Sequence, residues 1–464
     1  MSMGLGMQTS RPVQSHVLSV DRYRCLFCLR DIDLEEAGLR LAVRSPALQS
    51  MRWARSMQGE EYGKGHVGSL TPSEYAQLGQ SELEPLLVRY ASHHNFDVRF
   101  SIELVGVERA AEYIGTVQDL ISKSTFKIRS PYFFGADEAR SHVAHSLKFN
   151  FISKPTAAKA CNVLLRADLS HIMNKERHSD LSWILKPDRT TFPGLVVHLR
   201  VVRPWKEWVL VAFGTDGTDK FRGLTTESPE LIDCVRETLG DDSIYVEILR
   251  IDPWSVRHSV AEEYSLDDAN LFLGDVAHRH PPAFGLGSNT CVQDAYNLAW
   301  KAAFVAKGLA GRGLLDSYSK ERQPVGAMLV HESNSGIKAQ FKVCESGGMM
   351  ASTQEEGKGQ LAVLSADTPQ GEASRVQLRE AMDRAALAGG PILNVQVSTY
   401  PGSRLPHAWL DVPTRQKMIS THDLAGKGAF CLLLGIGGLA IGFGLDYVDF
   451  FYTLQTVLSS LSSG

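Results

Sequence analysis

The sequence predicts an α/β protein, and three observations carry that reading. The run Leu271-Phe272-Leu273 has the apolar character of a short strand, and it stops at Gly274-Asp275. Beyond a Pro281-Pro282 turn and two close glycines, Thr290-Cys291-Val292-Gln293 has the pattern of a capping box. Apolar residues at Val292, Ala295, Ala299, Ala302, Ala303 and Ala306 follow at helical spacing, and Gly308 sits where such a helix would end. Finally, Leu195-Val196-Val197-His198-Leu199 and the run from Trp208 to Phe213 read as strands of a sheet between two stretches of the first kind.

Composition bounds the function. The chain has 464 residues, enough for two domains and a fragment of a third, with 44% hydrophobic and 8% aromatic residues, as in a packed enzyme. With 48 basic and 52 acidic residues the formal charge is −4, which gives no electrostatic case for nucleic acid. No basic, apolar, cleavable leader opens the chain, and a cytoplasmic location is expected. The seven cysteines are scattered; Cys25-Leu26-Phe27-Cys28 has no second pair or histidine cluster to complete a metal site, so no metal is expected and reduced thiols fit better than disulfides. Ala429 to Leu445 holds 17 residues without a charge but five glycines, and falls short of the roughly 20 residues a membrane helix needs. A buried strand is the preferred reading over a membrane anchor.

Several runs go beyond generic structure. The stretch from Leu273 to Asn289 places a carboxylate at a strand end and a glycine-lined helix start fourteen residues later. A helix N-terminus offers backbone N–H groups and the positive end of the helix dipole to an anion or electron-rich ring. Gln80-Ser81-Glu82-Leu83-Glu84-Pro85-Leu86-Leu87 reads as a helix start, and Tyr132-Phe133-Phe134-Gly135-Ala136-Asp137-Glu138-Ala139-Arg140-Ser141 as a strand and turn. The ordered run 273–289 closely resembles the second flavin-binding signature of the FAD-dependent aromatic hydroxylases, in particular the phenol and chlorophenol monooxygenases and fungal polyketide-tailoring members.

The resemblance implies roles residue by residue. Asp275 would hold the ribityl chain of FAD, while Pro282, Gly285, Leu286, Gly287, Ser288 and Asn289 would line the isoalloxazine. The helix dipole there would stabilise negative charge on reduced flavin, a contribution of about 0.3–1 kcal/mol when exposed. Gln80 matches a glutamine that touches the flavin, and Asp137 belongs to a Gly-Ala-Asp-Gly-x-x-Ser motif that supports FAD and the passing NAD(P)H. Here Glu138 stands where that motif has glycine, which should weaken binding. The alternative for Asp137, given less weight, is a turn aspartate with a satisfied side chain.

The first signature of such enzymes, a strand followed by GxGxxG, is not met. Gly4 and Gly6 have no strand before them and no third glycine after, and residues 1 to 30 are atypical. The first mononucleotide-binding half is therefore expected to be missing or replaced. The implied fold is a doubly wound, glutathione-reductase-like FAD-binding domain, incomplete at its N-terminus, with an inserted α+β substrate domain and a partial thioredoxin-like C-terminal region. The expected layout is 1–145 for the first part of the FAD-binding domain, 146–252 for the substrate domain and 253–344 for the return to FAD binding. A loose linker with one helix starting near Arg375 would span 345–390, and 391–464 would hold the thioredoxin-like entry around Tyr400 to Leu410. Tyr318-Ser319-Lys320-Glu321-Arg322-Gln323-Pro324 would cap a helix under the flavin.

The implied activity is hydroxylation of a phenolic or polyketide-derived aromatic compound with NAD(P)H and O₂, in secondary metabolism. Trp183, Trp205 and Trp208 are available to line the substrate pocket or to pack the core, and His280 is a candidate to deprotonate the phenol by proximity alone. No catalytic residue is assigned by the sequence. A degenerate, non-redox homologue acting as a binding or scaffold protein is the alternative, favoured by Glu138 and the missing GxGxxG and opposed by the intact 275–289 segment. Oligomeric state is open, although relatives of this kind often form dimers.

Overall fold

The structure is a computed structural model, and it describes residues 25–29, 80–94, 96–109, 112–155, 158–171, 173, 181–215, 217–266, 270–272, 276–282, 285–387, 407–410 and 418–423. In chain order the elements are β1 (Cys25–Leu29), α1 (Gln80–His93), β2 (Ile102–Arg109), β3 (Tyr113–Asp119), β4 (Thr125–Ser130), β5 (Phe133–Gly135), α2 (His142–Ser146), β6 (Phe151–Lys154), β7 (Lys159–Arg166) and β8 (Leu181–Leu185). They continue as β9 (Leu195–Arg203), β10 (Glu207–Gly214), α3 (Pro229–Leu239), β11 (Glu247–Ser255), β12 (His258–Ala261), β13 (Ser265–Leu266), β14 (Asn270–Phe272) and β15 (His278–Arg279). The helices α4 (Gly287–Ala306), α5 (Gly313–Ser346), α6 (Gln354–Ser365) and α7 (Pro369–Leu387) follow, then the short pair β16 (Trp409–Leu410) and β17 (Ile419–Ser420). The molecule is mixed α/β, as the sequence predicts.

The largest sheet has the order β1-β8-β9-β10-β7-β11. Both predicted strands, Leu195–Leu199 and Trp208–Phe213, lie at its centre and pair antiparallel as β9 and β10. Both faces are buried, which is why β9 reads as a continuous apolar run rather than an alternating one. One face packs Val163, Leu165, Val197, Leu199 and Leu210 against Leu231, Val235 and Leu239 of α3. Helix α3 ends in Gly240 at φ 73°, a left-handed conformation that glycine adopts without steric cost. The other face packs Ala160, Trp183, Val196 and Phe213 against Val343 of α5, Leu361 of α6 and Met382 of α7.

Several expectations are corrected here. Residues 345–390 are not a loose linker with one helix near Arg375: α6 and α7 occupy them, α7 starts at Pro369, and both bury apolar residues on the large sheet. The docking is close, since a Cβ at Gly357 of α6 would stand 1.9 Å from the carbonyl oxygen of Pro187. The run 318–324 caps nothing; it lies inside the 34-residue α5, which continues through Pro324 because its buried stripe persists on both sides, from Leu315 and Tyr318 to Val330 and Ile337. Cys25–Leu29, assigned with the FAD-binding half, pairs in parallel with Leu181–Leu185 as the edge strand of the large sheet. An apolar pentapeptide of this kind satisfies its backbone by completing an open sheet edge.

Among the described residues four smaller sheets carry the rest: β2-β3-β4, β15-β12-β6, β13-β14-β5 and the two-stranded β16-β17. Trp183 and Trp208 are both about 1% exposed and pack the two cores, with the Trp208 indole donating to the Ala167 carbonyl. Trp205 stacks on Trp208 at 6.1 Å between ring centres. All three tryptophans are therefore packing residues. Among the described residues no helix is long and apolar enough to cross a membrane. Ala429–Leu445 and most of the expected thioredoxin-like region lie outside them.

Candidate functional site

The site is assembled at the ends of two parallel strands. β14 pairs with β5 in parallel register, Asn270 beside Phe133 and Phe272 beside Gly135. The loops that follow these strands, one carrying Asp137 and the other Asp275, therefore leave the same sheet edge. In open parallel sheets ligands bind outside the carboxyl ends of the strands. Asp275 itself lies outside the described residues, as do Ala283 and Phe284.

From β15 the chain runs through the Pro281-Pro282 turn into α4. Gly285 donates its N–H to the Pro282 carbonyl at 3.3 Å and has φ 64°, a conformation open to glycine and strained for other residues. A Cβ placed there would meet nothing within 4 Å, so the space over this turn is open. The helix begins at Gly287, three residues before the expected start, and Thr290 lies in its first turn with its N–H on the Leu286 carbonyl. No side chain caps this N-terminus. The amide groups of Gly287, Ser288 and Asn289 precede the first intrahelical donor and are left to an external acceptor. Ser288 and Asn289 are exposed, and the Asn289 side chain donates to the Gly285 carbonyl, bracing the turn from inside.

The buried face of α4 also differs from expectation. Thr290, Asp294, Leu298 and Lys301 are buried, whereas Val292 is 60% exposed and Ala295, Ala299, Ala303 and Ala306 face outward. Charge pairing explains the choice. Asp294 takes His278 Nε2 at 2.8 Å on one oxygen and the Arg322 guanidinium at 2.6 Å on the other. Lys301 pairs with Glu321 at 2.9 Å. The Asp294 cluster ties β15, α4 and α5 together. Sequence reading missed it because charged residues at i and i+7 on an apparently solvated face give no signal of burial.

Asp137 accepts from the Ser141 hydroxyl at 2.6 Å and the Val143 N–H at 3.1 Å, so its carboxylate organises the turn into α2. Glu138 keeps the left-handed backbone of the glycine it replaces, with φ 61°, and its side chain is exposed. Gln80 is the first residue of α1, as expected, but its amide donates to Glu84 of its own helix. The structure thus joins the 137 loop to the strand before Asp275, and it ties Gly285 to Pro282 just ahead of the α4 start.

Beside the α4 start is a cavity of about 420 Å³, lined among others by Arg140, Lys159, Trp254, Arg257, Arg279 and His280. The His280 ring lies 3.6 Å from where a Gly287 Cβ would stand, so the cavity adjoins the helix start. Its Nδ1–H donates to the Pro281 carbonyl at 2.8 Å. Among the described residues no group of three His, Cys, Asp or Glu could hold a metal ion.

The described part fits the ring end of a flavin: an uncapped helix start, a left-handed glycine with open space above it, and a cavity alongside. The residues that would hold the adenosine end lie outside it. Residues 22–333 match the model of the FAD binding domain family. The chain is 31% identical to the 2,4-dichlorophenol 6-monooxygenase of Cupriavidus pinatubonensis, over 91% of this chain and 76% of that protein. It is also 31% identical to the phenol 2-monooxygenase of a Pseudomonas species, over 93% of this chain and 74% of that one. Among solved structures, the flavin-dependent monooxygenase PieE, in complex with FAD and substrate, superposes with a TM-score of 0.72 at 30% identity, covering 81% of this chain and 69% of its own. The chain belongs to the family of FAD-dependent aromatic hydroxylases.

Proposed function

We propose that the chain hydroxylates a phenolic or polyketide-derived aromatic compound, using FAD, NAD(P)H and O₂. The observation that carries this reading is the uncapped α4 start behind the Pro282–Asn289 turn, beside a cavity of small-molecule size. The non-redox alternative gains no support from the relatives. The proposal keeps the doubly wound FAD-binding layout with an inserted substrate domain and a partial thioredoxin-like region, and it keeps a cytoplasmic location.

FAD, when bound, supplies the redox chemistry that passes electrons from NAD(P)H to O₂ and delivers one oxygen to the ring. The protein's part is positioning and electrostatics. Asp275 would hold the ribityl hydroxyls, and the free amides of Gly287, Ser288 and Asn289 would favour negative charge on the ring laid against them. Pro282, Gly285 and Leu286 shape the surface beneath. Gln80 and Asp137 would contact the cofactor only after local rearrangement, since both side chains are engaged within their own segments. His280, at the cavity wall, would take the proton of a phenol and so raise the electron density of the ring under attack.

The test is NAD(P)H oxidation by the FAD-loaded chain, with and without a phenol, followed by mass analysis of product. The expected result is phenol-stimulated oxidation with a gain of one oxygen in the product. Oxidation that no phenol stimulates, with no oxygenated product, would refute the reading.

A further inference from the structure

We propose that the cavity beside the α4 start is built for an aromatic substrate that carries a carboxylate. This rests on the hydroxylase reading above and adds the charge of the substrate to it. The wall combines one aromatic surface with an excess of cations. Trp254 donates its indole N–H to Asn162 at 2.9 Å, which fixes the orientation of its ring. Around it stand Arg140, Lys159, Arg257 and Arg279, against a single carboxylate, Asp219. Arg279 lies over the Phe151 ring at 4.5 Å, and Lys159 donates to Ser255 at 3.1 Å. Among the described residues no ion pair joins Arg140 or Arg257 to an acidic side chain.

Like charges gathered around a concave surface repel one another, and an anion inside relieves that repulsion while the low-dielectric wall focuses the field on it. A guanidinium presents a planar fork that matches a carboxylate with two parallel hydrogen bonds, and an aromatic body stacks on the indole beside it. A neutral phenol would offer Arg140 and Arg257 no carboxylate to pair with. Arg140 and Arg257 come from different segments, the 137 loop and the stretch just after β11 of the large sheet, so an acid bound by both links the two.

Calorimetric titration of the full chain with 2,4-dihydroxybenzoate and with resorcinol tests this, since the two probes differ only in the carboxylate. The acid should bind at least about tenfold more tightly at low ionic strength, and added salt should narrow the gap. In Arg257→Gln and Arg140→Gln, both at solvent-reached positions, the preference should collapse while resorcinol binding is unchanged. Circular dichroism checks that both variants are folded, and Lys159→Gln gives a further folded variant with the same expectation. Equal binding of the two probes, no binding of either, or a preference untouched by the substitutions would overturn the proposal. So would variants that weaken NADP⁺ binding but not the acid, which would assign the cations to the dinucleotide phosphates. Failure of the hydroxylase reading shows separately, as loss of phenol-stimulated oxidation with every phenol; failure of this proposal alone leaves neutral and acidic phenols oxidised equally well.

Discussion

The large sheet and the α4 turn are held by different physics. The sheet is covered on both faces by apolar side chains, from Val163 and Leu199 on one side to Trp183 and Phe213 on the other. Helix α4, which follows the Gly285 turn, buries two charged residues and a threonine alongside a single leucine. Hydrophobic burial is non-directional and tolerates small shifts, at about 25 cal/mol per Å². A buried ion cluster fixes one geometry and is costly to break. The large sheet is thus held by area, and the α4 start by direction.

The sharpest way to break this contrast is Asp294→Ala, which leaves Arg322 and His278 buried without their carboxylate. It should cost about 3–5 kcal/mol in urea unfolding, whereas a loss under about 1 kcal/mol would mean the cluster anchors nothing. Gly357→Ala probes the apolar side at its closest approach. A methyl group 1.9 Å from the Pro187 carbonyl oxygen forces α6 away from the sheet, and about 3 kcal/mol should be lost.

His198 is the exception within the apolar region. It lies on β9 against Trp183 and Phe213, its Nε2 has no hydrogen-bond partner, and burial pushes its pKa down from 6.5 to about 3. The unfolded chain takes up a proton below pH 6.5, while the folded chain refuses it until about pH 3. The stability is therefore full above 6.5 and falls with pH across that window, by up to about 1.4 kcal/mol per pH unit. In His198→Leu the loss between about pH 7 and about pH 4.5 should shrink relative to the parent. Equal loss in both would show that the imidazole does not titrate on unfolding. The smallest expected effect is at Glu138, whose φ of 61° costs a side chain about 1–2 kcal/mol. Glu138→Gly should raise stability by about 1 kcal/mol in thermal unfolding; a loss would mean the glutamate side chain holds the turn.

The same contrast explains what could be read from the sequence. The strands β9 and β10, the strand before Asp275 and the start of α1 at Gln80 follow apolar runs and breakers, and they stand where expected. Helix α4 was legible as a helix but not in its orientation. Its alanines suggested the buried face, yet Asp294 and Lys301 go inside because Arg322, His278 and Glu321 meet them there. Those partners come from 16 to 28 residues away, a separation periodicity cannot see. Its start was misjudged because Thr290 and Gln293 mimic a capping box, while the real N-terminus lacks a side-chain cap. At Pro324 a local stop signal was overridden by packing along the whole of α5. The turn at Gly285 was legible because glycine spacing reports backbone geometry directly, and Gly285 has the positive φ that such spacing serves.

The central claim is that this turn and helix start hold a flavin ring. The most direct test is the visible spectrum of the chain after incubation with FAD and desalting, run beside Gly285→Val, which places a β-branched residue at a left-handed position. The account predicts retained, structured flavin absorbance in the chain and its loss in the variant. A colourless chain, or equal retention by the variant, would contradict it.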